Sequence, residues 1–242
     1  MRMEMHAHCS GASVCADVLD QQFVADMKKN GIEAFLLVNH VNLGFKRYPG
    51  ETYREKIDYY FSRFEEIKQL AKENGIKAFL GAEVVTLTDD GMHQEFIIVG
   101  FDKDFLYNND LVNKVNQEQL FEIANKNGLF MYQTHPFRTG EKTGNPKFMH
   151  GAEGLNGHFH HDNNNEKALK FCEENSLKIV VGNDYHHHNQ PLVGWLILPD
   201  EISNERQLAD YLLNNQAQIC FDQEKCLFER QKYIEEERIA QQ

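Results

Sequence analysis

The chain has 242 residues, 41% of them hydrophobic and 26% charged, a balance that fits one globular domain and excludes a disordered polymer. Its formal net charge of −12 argues against an extended nucleic-acid partner, whose phosphates need an excess of Lys and Arg. No apolar run reaches the length of a membrane span, the first ten residues lack the apolar core of a leader, and Cys9, Cys15, Cys172, Cys220 and Cys226 are scattered without a CxxC pair. Together these features lead us to expect a cytoplasmic chain with reduced thiols.

In chain order, short apolar runs alternate with amphipathic stretches. MRMEMHA predicts a first strand. Residues from about Ala16 to Asn30 have a helical period, with Val18, Leu19, Phe23, Val24 and Met27 on one side and Gly31 as the stop. Ala34 to His40 is a continuous apolar run, as in a strand covered on both faces. A long helix is predicted from Glu51 to Asn74, then strands from Lys77 to Val85 and Glu95 to Phe101. A helix from Asn116 to Gly128 precedes the strand Leu129 to His135, and a loop runs on to about Gly151. AEGLNG reads as a short strand, Asn165 to Ser176 as a helix, and Leu177 to Asp184 as a strand. VGWLIL and AQICF are strands flanking the helix ISNERQLADYLLN, and residues 223–242 form a charged helical tail on what we read as a single domain. Strand followed by helix, repeated six or seven times, argues for parallel strands and an α/β fold. Neither GxGxxG nor a P-loop is present to support a nucleotide-binding open sheet.

The twelve histidines are unevenly placed, and several close predicted strands. His6 and His8 end the first strand, His40 the second and His135 the LFMYQTH strand. Glu83 closes the third strand, and Asp184 and His186 follow LKIVVG. In a closed parallel sheet these ends meet at one mouth. In an extended strand residues two apart point to the same side, so His6 and His8 can face one ion, as can Asp184 and His186. Imidazole with carboxylate suits Zn²⁺, Mn²⁺ or Fe²⁺, and the two oxygens of Glu83 can bridge two ions. His93, His150, the group His158, His160 and His161, and the pair His187 and His188 read on their own as solvated or supporting residues.

The ordered set resembles the PHP (polymerase and histidinol phosphatase) domain family. It comprises His-x-His after the first strand, Asn-His after the second, Gly-x-Glu after the third, then Thr-His-Pro and, near the end, Gly-Asn-Asp-Tyr-His. The resemblance spans about Met1 to Leu213, and AEGLNG with NNNEKALKF is similar to that family's E-x-x-N-G segment and following helix. It implies a distorted (β/α)7 TIM-like barrel holding two or three divalent ions. By carry-over, His6, His8, Glu83 and Asp184 would hold one ion. Glu83 and His135, with His93, would hold a second, and His40 with His186 a third. Ser13 stands where the family has Asp or His, with Cys15 and Asp17 as nearby replacements. Asn39 and Asn183 stand where Asp and Ser are common, as residues that orient ligands.

The expected activity is metal-dependent hydrolysis of a small phosphomonoester by a metal-bridging hydroxide. Arg138 would clamp the phosphate, with Lys142 and Lys147 as weaker candidates, and His186 would protonate the leaving oxygen. The alternatives are a phosphodiesterase acting on nucleotides or short oligonucleotides, and a non-catalytic, metal-stabilised interaction module.

Overall fold

The computed structural model describes residues 1–112 and 115–240, so the last two residues of the expected tail lie outside the described residues. Nine strands form one sheet: β1 (Arg2–Ala7), β2 (Ala34–Leu37), β3 (Lys77–Leu87), β4 (His93–Val99), β5 (Phe130–Gln133), β6 (Gly151–Asn156), β7 (Lys178–Gly182), β8 (Gly194–Ile197) and β9 (Gln218–Phe221). Their spatial order is β7-β6-β5-β4-β3-β2-β1-β8-β9. The first seven curl until the ends meet. Tyr185, just after β7, donates its N–H to His6 O (3.0 Å) and accepts from His8 N (2.8 Å), bridging in parallel to Ala7. The other half of β1 pairs antiparallel with β8, so the seam opens there and a β8–β9 hairpin continues the sheet. The result is the nearly closed barrel-like α/β fold expected, with two extra strands.

The strands are not all parallel. β3–β4, β4–β5, β1–β8 and β8–β9 are antiparallel. The cause is legible in the β3–β4 connection: only residues 88–92 separate the two strands, too few for a crossover, so the chain turns back as a hairpin. β3 also runs four residues beyond Glu83 to make that hairpin, which places Glu83 in mid-strand rather than at its end.

Helices cover the outside: α1 (Asp20–Lys29), α2 (Tyr53–Glu73), α3 (Lys103–Asn108), α4 (Gln117–Lys126), α5 (Asn165–Glu174), α6 (Glu205–Asn214) and α7 (Gln223–Ala240). The six-residue α3 was not foreseen. α2 shows why these segments are helical. Thr52 caps it, accepting from Glu55 N at 3.2 Å while Glu55 Oε2 accepts from Thr52 N at 2.8 Å. Ile57, Tyr60, Phe64, Ile67 and Ala71 then form one buried stripe at three- and four-residue spacing. Burying each large apolar side chain of that stripe contributes roughly 1.5–3 kcal/mol. The Tyr60 hydroxyl lies between Asn39 O (2.9 Å) and Gly81 O (2.8 Å), pinning α2 beside the segments that carry His40 and Glu83. α7, by contrast, has no buried residue. No helix among the described residues is long and apolar enough to cross a membrane.

Candidate metal centre

β1 carries one residue more than its neighbour β2 between the pairs Met3↔Ala34 and Ala7↔Leu37, a bulge that re-aims the strand's last residues. Ala7 then joins the apolar layer with Phe23, Phe35 and Leu37, while His6 and His8 on either side of it face the opposite way. β6 has a second bulge, beside Glu153. His135 and Asp184 each follow a strand by two residues and hold left-handed backbones (φ 26° and 49°), a strain of order 1–3 kcal/mol each. Local hydrogen bonds sustain both: His135 N donates to Glu153 Oε2 (2.9 Å), and Asp184 O accepts from Gln190 Nε2 (3.0 Å).

These devices bring most of the sequence-derived residues into one cluster. His6 Nε2 is 3.0 Å from His8 Nε2, 3.1 Å from Asp184 Oδ1 and 3.5 Å from Glu83 Oε1. Glu83 Oε2 is 3.2 Å from His8 Nε2 and 3.4 Å from His40 Nδ1. His135 Nε2 stands 3.9 Å from both Glu83 Oε1 and Asp184 Oδ2. His186 Nδ1 lies 3.3 Å from Asp184 Oδ1, and Arg138 Nη2 2.7 Å from Asp184 Oδ2. Every one of these residues is buried.

His93 is set apart. It is the exposed first residue of β4, on the rim of the cleft and outside the close groups of ligand atoms. Glu95, two residues further along the same face, reaches His135 Nε2 at 3.6 Å. Sequence reasoning missed Glu95 because it read the strand as parallel, which hides the hairpin geometry. It also missed Glu141 (2.8 Å from His135 Nδ1) and His158, both carried on loops, whereas Cys15, named as a replacement for the acid at Ser13, does lie against the cluster. Of the other candidates, His187 and His188 turn outward to Asp17 (2.9 Å) and Asp26 (2.8 Å). His150 accepts from Met131 N at 3.0 Å, remote from the cluster. Lys142 reaches Asp90 at 3.5 Å on the surface.

Outer contacts orient the cluster. Glu153 Oε1 holds His6 Nδ1 at 2.8 Å, fixing the ring so that Nε2 faces inward. Thr134 Oγ1 donates to Glu83 Oε1 at 3.0 Å. Asn183 accepts from Val193 N (2.7 Å) and donates to Glu4 and to Gly194 O, closing the seam under Asp184. Asn39 Oδ1 accepts from Cys9 N (3.0 Å), tying β1 to the segment before His40.

The electrostatics follow from burial set against crowding. Burial lifts the Glu83 and Asp184 carboxyls, but His40 and His6 around the first, and His6, Arg138 and His186 around the second, hold both well below the usual carboxylate range. Burial pulls His6 down, yet Glu153, Asp184 and Glu83 together leave it well above its ordinary value. Burial and the neighbouring His186 push His8 down to about 3, and burial takes His158 to about 2. Burial, with Glu83 adding to it, raises Glu95 to about 8.

Several observations show that divalent ions fit this donor set. Arg138 is the only Lys or Arg among the buried described residues, whereas Glu83, Glu153 and Asp184 are all buried beside it. Buried charge is normally paired or bound to metal. His40 Nδ1 is buried without a hydrogen-bond partner. Five triads have mutually close ligand atoms, each within 4.8 Å: His6–His8–Asp184, His6–Glu83–His135, Glu95–His135–Glu141, His158–Asp184–His186 and His8–Cys15–His40. They share members, so the cluster is one continuous group of side chains able to hold metal. It forms a wall of a cleft of about 430 Å³ that Arg138, His158, His160 and His161 also line.

No family model matches the chain, and no curated protein matches it. Solved structures do. A two-domain protein from Bacteroides vulgatus, described as containing a predicted PHP-like metal-dependent phosphoesterase, superposes with a TM-score of 0.60 at 17% identity, over 96% of this chain and 69% of that one. PsfC from Pseudomonas syringae gives 0.66 at 16% identity, over 96% of both chains. An amidohydrolase from Chromobacterium violaceum, solved with bound sulfate and no metal, gives 0.57 at 11% identity over 91% and 98%. The chain therefore has the fold of PHP-like metal-dependent phosphoesterases.

Proposed function

We propose that the protein is a metal-dependent phosphoester hydrolase acting on a small phosphomonoester. The reading rests on one observation: imidazoles and carboxylates carried by β1, β3, β5 and β7, or by the residues just beyond them, share a buried cluster with a single guanidinium, at the wall of a cleft. His6, His8, Glu83 and Asp184 would hold one ion, and Glu83, His135, Glu95 and Glu141 a second. His40 and His186 would serve a third. Bound ions would supply an activated water and neutralise charge on the phosphoryl oxygens.

The chain's own residues do the rest. Arg138 is held rigidly, donating Nε to Asn163 Oδ1 (2.9 Å) and Nη2 to Asp184. Its planar fork matches a phosphate better than a neutral amide, which favours phosphoester over amide hydrolysis. His186 has Nδ1 on Asp184 O (2.8 Å) and Nε2 3.0 Å from Cys15 Sγ, and burial lowers its pKa. The Asp184 carbonyl can only accept, so Nδ1 carries the ring proton and Nε2 keeps its lone pair for an ion; His186 would serve as a ligand rather than as the proton donor to the leaving oxygen. The compact cleft and the single buried cation favour a monoester over an oligonucleotide.

The test is to strip the protein with a chelator, restore Mn²⁺ or Zn²⁺, and assay p-nitrophenyl phosphate beside bis-(p-nitrophenyl) phosphate. Metal-restored turnover of the monoester is expected. Turnover of the diester alone would transfer the assignment to a phosphodiesterase, and metal binding without turnover of either would favour an interaction module.

A further inference from the structure

One corner of the cluster has a chemistry the others lack. Residues 9–18 fold back on themselves through Ser10 N to Val18 O (3.0 Å) and are anchored to the loop after β7 by Asp17 N and Val18 N, which donate to His186 O at 3.2 and 3.3 Å. This places the Cys15 thiol on the cleft wall, with Sγ 3.0 Å from His186 Nε2 and 3.2 Å from Ser13 Oγ. Ser13 Oγ is in turn 3.2 Å from His8 Nδ1. Ligand atoms of Cys15, His8 and His40 all lie within 4.8 Å of one another, and the His8 ring stacks on both His40 (5.1 Å) and His186 (4.4 Å). An independent feature also points to a ligand here: His40 is 4% exposed, and its buried Nδ1 has no hydrogen-bond partner.

We infer that Cys15 is a metal ligand, completing with His40 and His186 a nitrogen-and-sulfur corner that takes a thiophilic divalent ion such as Zn²⁺. On loading, the thiol S–H bond breaks, its proton leaves to solvent and the Sγ–metal bond forms, so no redox partner is needed. Donors around a tetrahedral ion at bond lengths of about 2.0–2.3 Å stand about 3.5 Å apart, so the Cys15–His186 pair at 3.0 Å opens slightly while donors up to 4.8 Å apart draw in. Asp17, the other nearby replacement for an acid at Ser13, is excluded by direction: its carboxylate is exposed and paired with His187. The remaining ligands are imidazole or carboxylate, so Cys15 makes this corner the softest in the centre.

The inference rests on the metal-dependent reading, and cobalt separates the two. The full chain, reduced and freed of metal, is titrated with Co²⁺. Visible ligand-field absorption reports ion binding by any donors. A near-ultraviolet sulfur-to-cobalt charge-transfer band reports a thiolate ligand. We expect both signals in the native chain, loss of only the charge-transfer band in Cys15→Ser, and protection of Cys15 from maleimide by Co²⁺ in peptide mass spectra. The tightness lost at this corner in Cys15→Ser should exceed the roughly 10–100-fold that losing an outer-shell partner costs. Visible absorption without the charge-transfer band, a band that persists in Cys15→Ser, or alkylation unchanged by Co²⁺ would overturn the thiolate while leaving the metal centre standing. No cobalt signal of any kind would overturn both.

Discussion

The two flanks of the centre differ in how they are built. On one side Glu95, His135 and Glu141 bring two carboxylates to one imidazole, on an antiparallel hairpin strand and the residues that follow β5. On the other, His8, Cys15, His40 and His186 offer imidazole and sulfur on connections after β1, β2 and β7. Glu83 and Asp184 lie between, each within 4 Å of imidazoles on both sides. The contrast teaches that one barrel mouth can present a hard and a soft donor set a few ångströms apart, joined by two acids.

The largest effect belongs to that junction. Glu83→Gln keeps the volume and removes the charge shared by both flanks. Ion content measured by elemental analysis should fall on both, and turnover should drop by at least about a thousandfold, several kcal/mol of transition-state stabilisation leaving with the ions. A variant that loses one ion and keeps the rest would show that the flanks are independent.

Glu153→Gln acts a step further out, through His6. With the 2.8 Å contact to His6 Nδ1 weakened, ion affinity should fall about 10–100-fold in a competition titration with a chromogenic chelator, while the melting temperature changes little.

Acidity should distinguish the flanks. Burial, reinforced by the neighbouring Glu83, raises Glu95 to about 8 in the ion-free protein, so below that pH Glu95 carries a proton that an incoming ion must displace. Affinity at the carboxylate flank should therefore climb as pH rises towards 8. Calorimetry in buffers of different ionisation enthalpy should detect the released proton, and Glu95→Gln should abolish that release.

The smallest effect is expected at His93, on the rim. His93→Ala should leave ion content unchanged and kcat within about twofold, far below the loss caused by Glu83→Gln.

Much of this architecture could be read along the chain. β2, β5 and β7 were legible as mainly apolar runs bounded by turn residues, and β1 by the alternation of Met3, Met5 and Ala7 with polar residues; the candidate ligands sit where period-two alternation and strand ends place them. His6, His8, His40, His135, Asp184 and His186 converge for that reason. His93 was named on its interval from Glu83; the β3–β4 hairpin, reversing a strand read as parallel, sets it on the rim and brings Glu95, two residues on, to within 3.6 Å of His135. Glu141 and His158 lie on loops, where periodicity gives no direction and position depends on tertiary hydrogen bonds such as Lys142 N to His93 O (2.9 Å). The bulges beside His6 and Glu153 leave no compositional mark, since each depends on pairing with a distant strand.

The most direct test is anomalous diffraction from crystals of the full chain grown with Zn²⁺ or Mn²⁺. The account predicts at least two peaks in the first coordination sphere of Glu83, one of them also bound by Asp184. Ions found only on the protein surface, or a centre that stays empty at saturating metal, would contradict it.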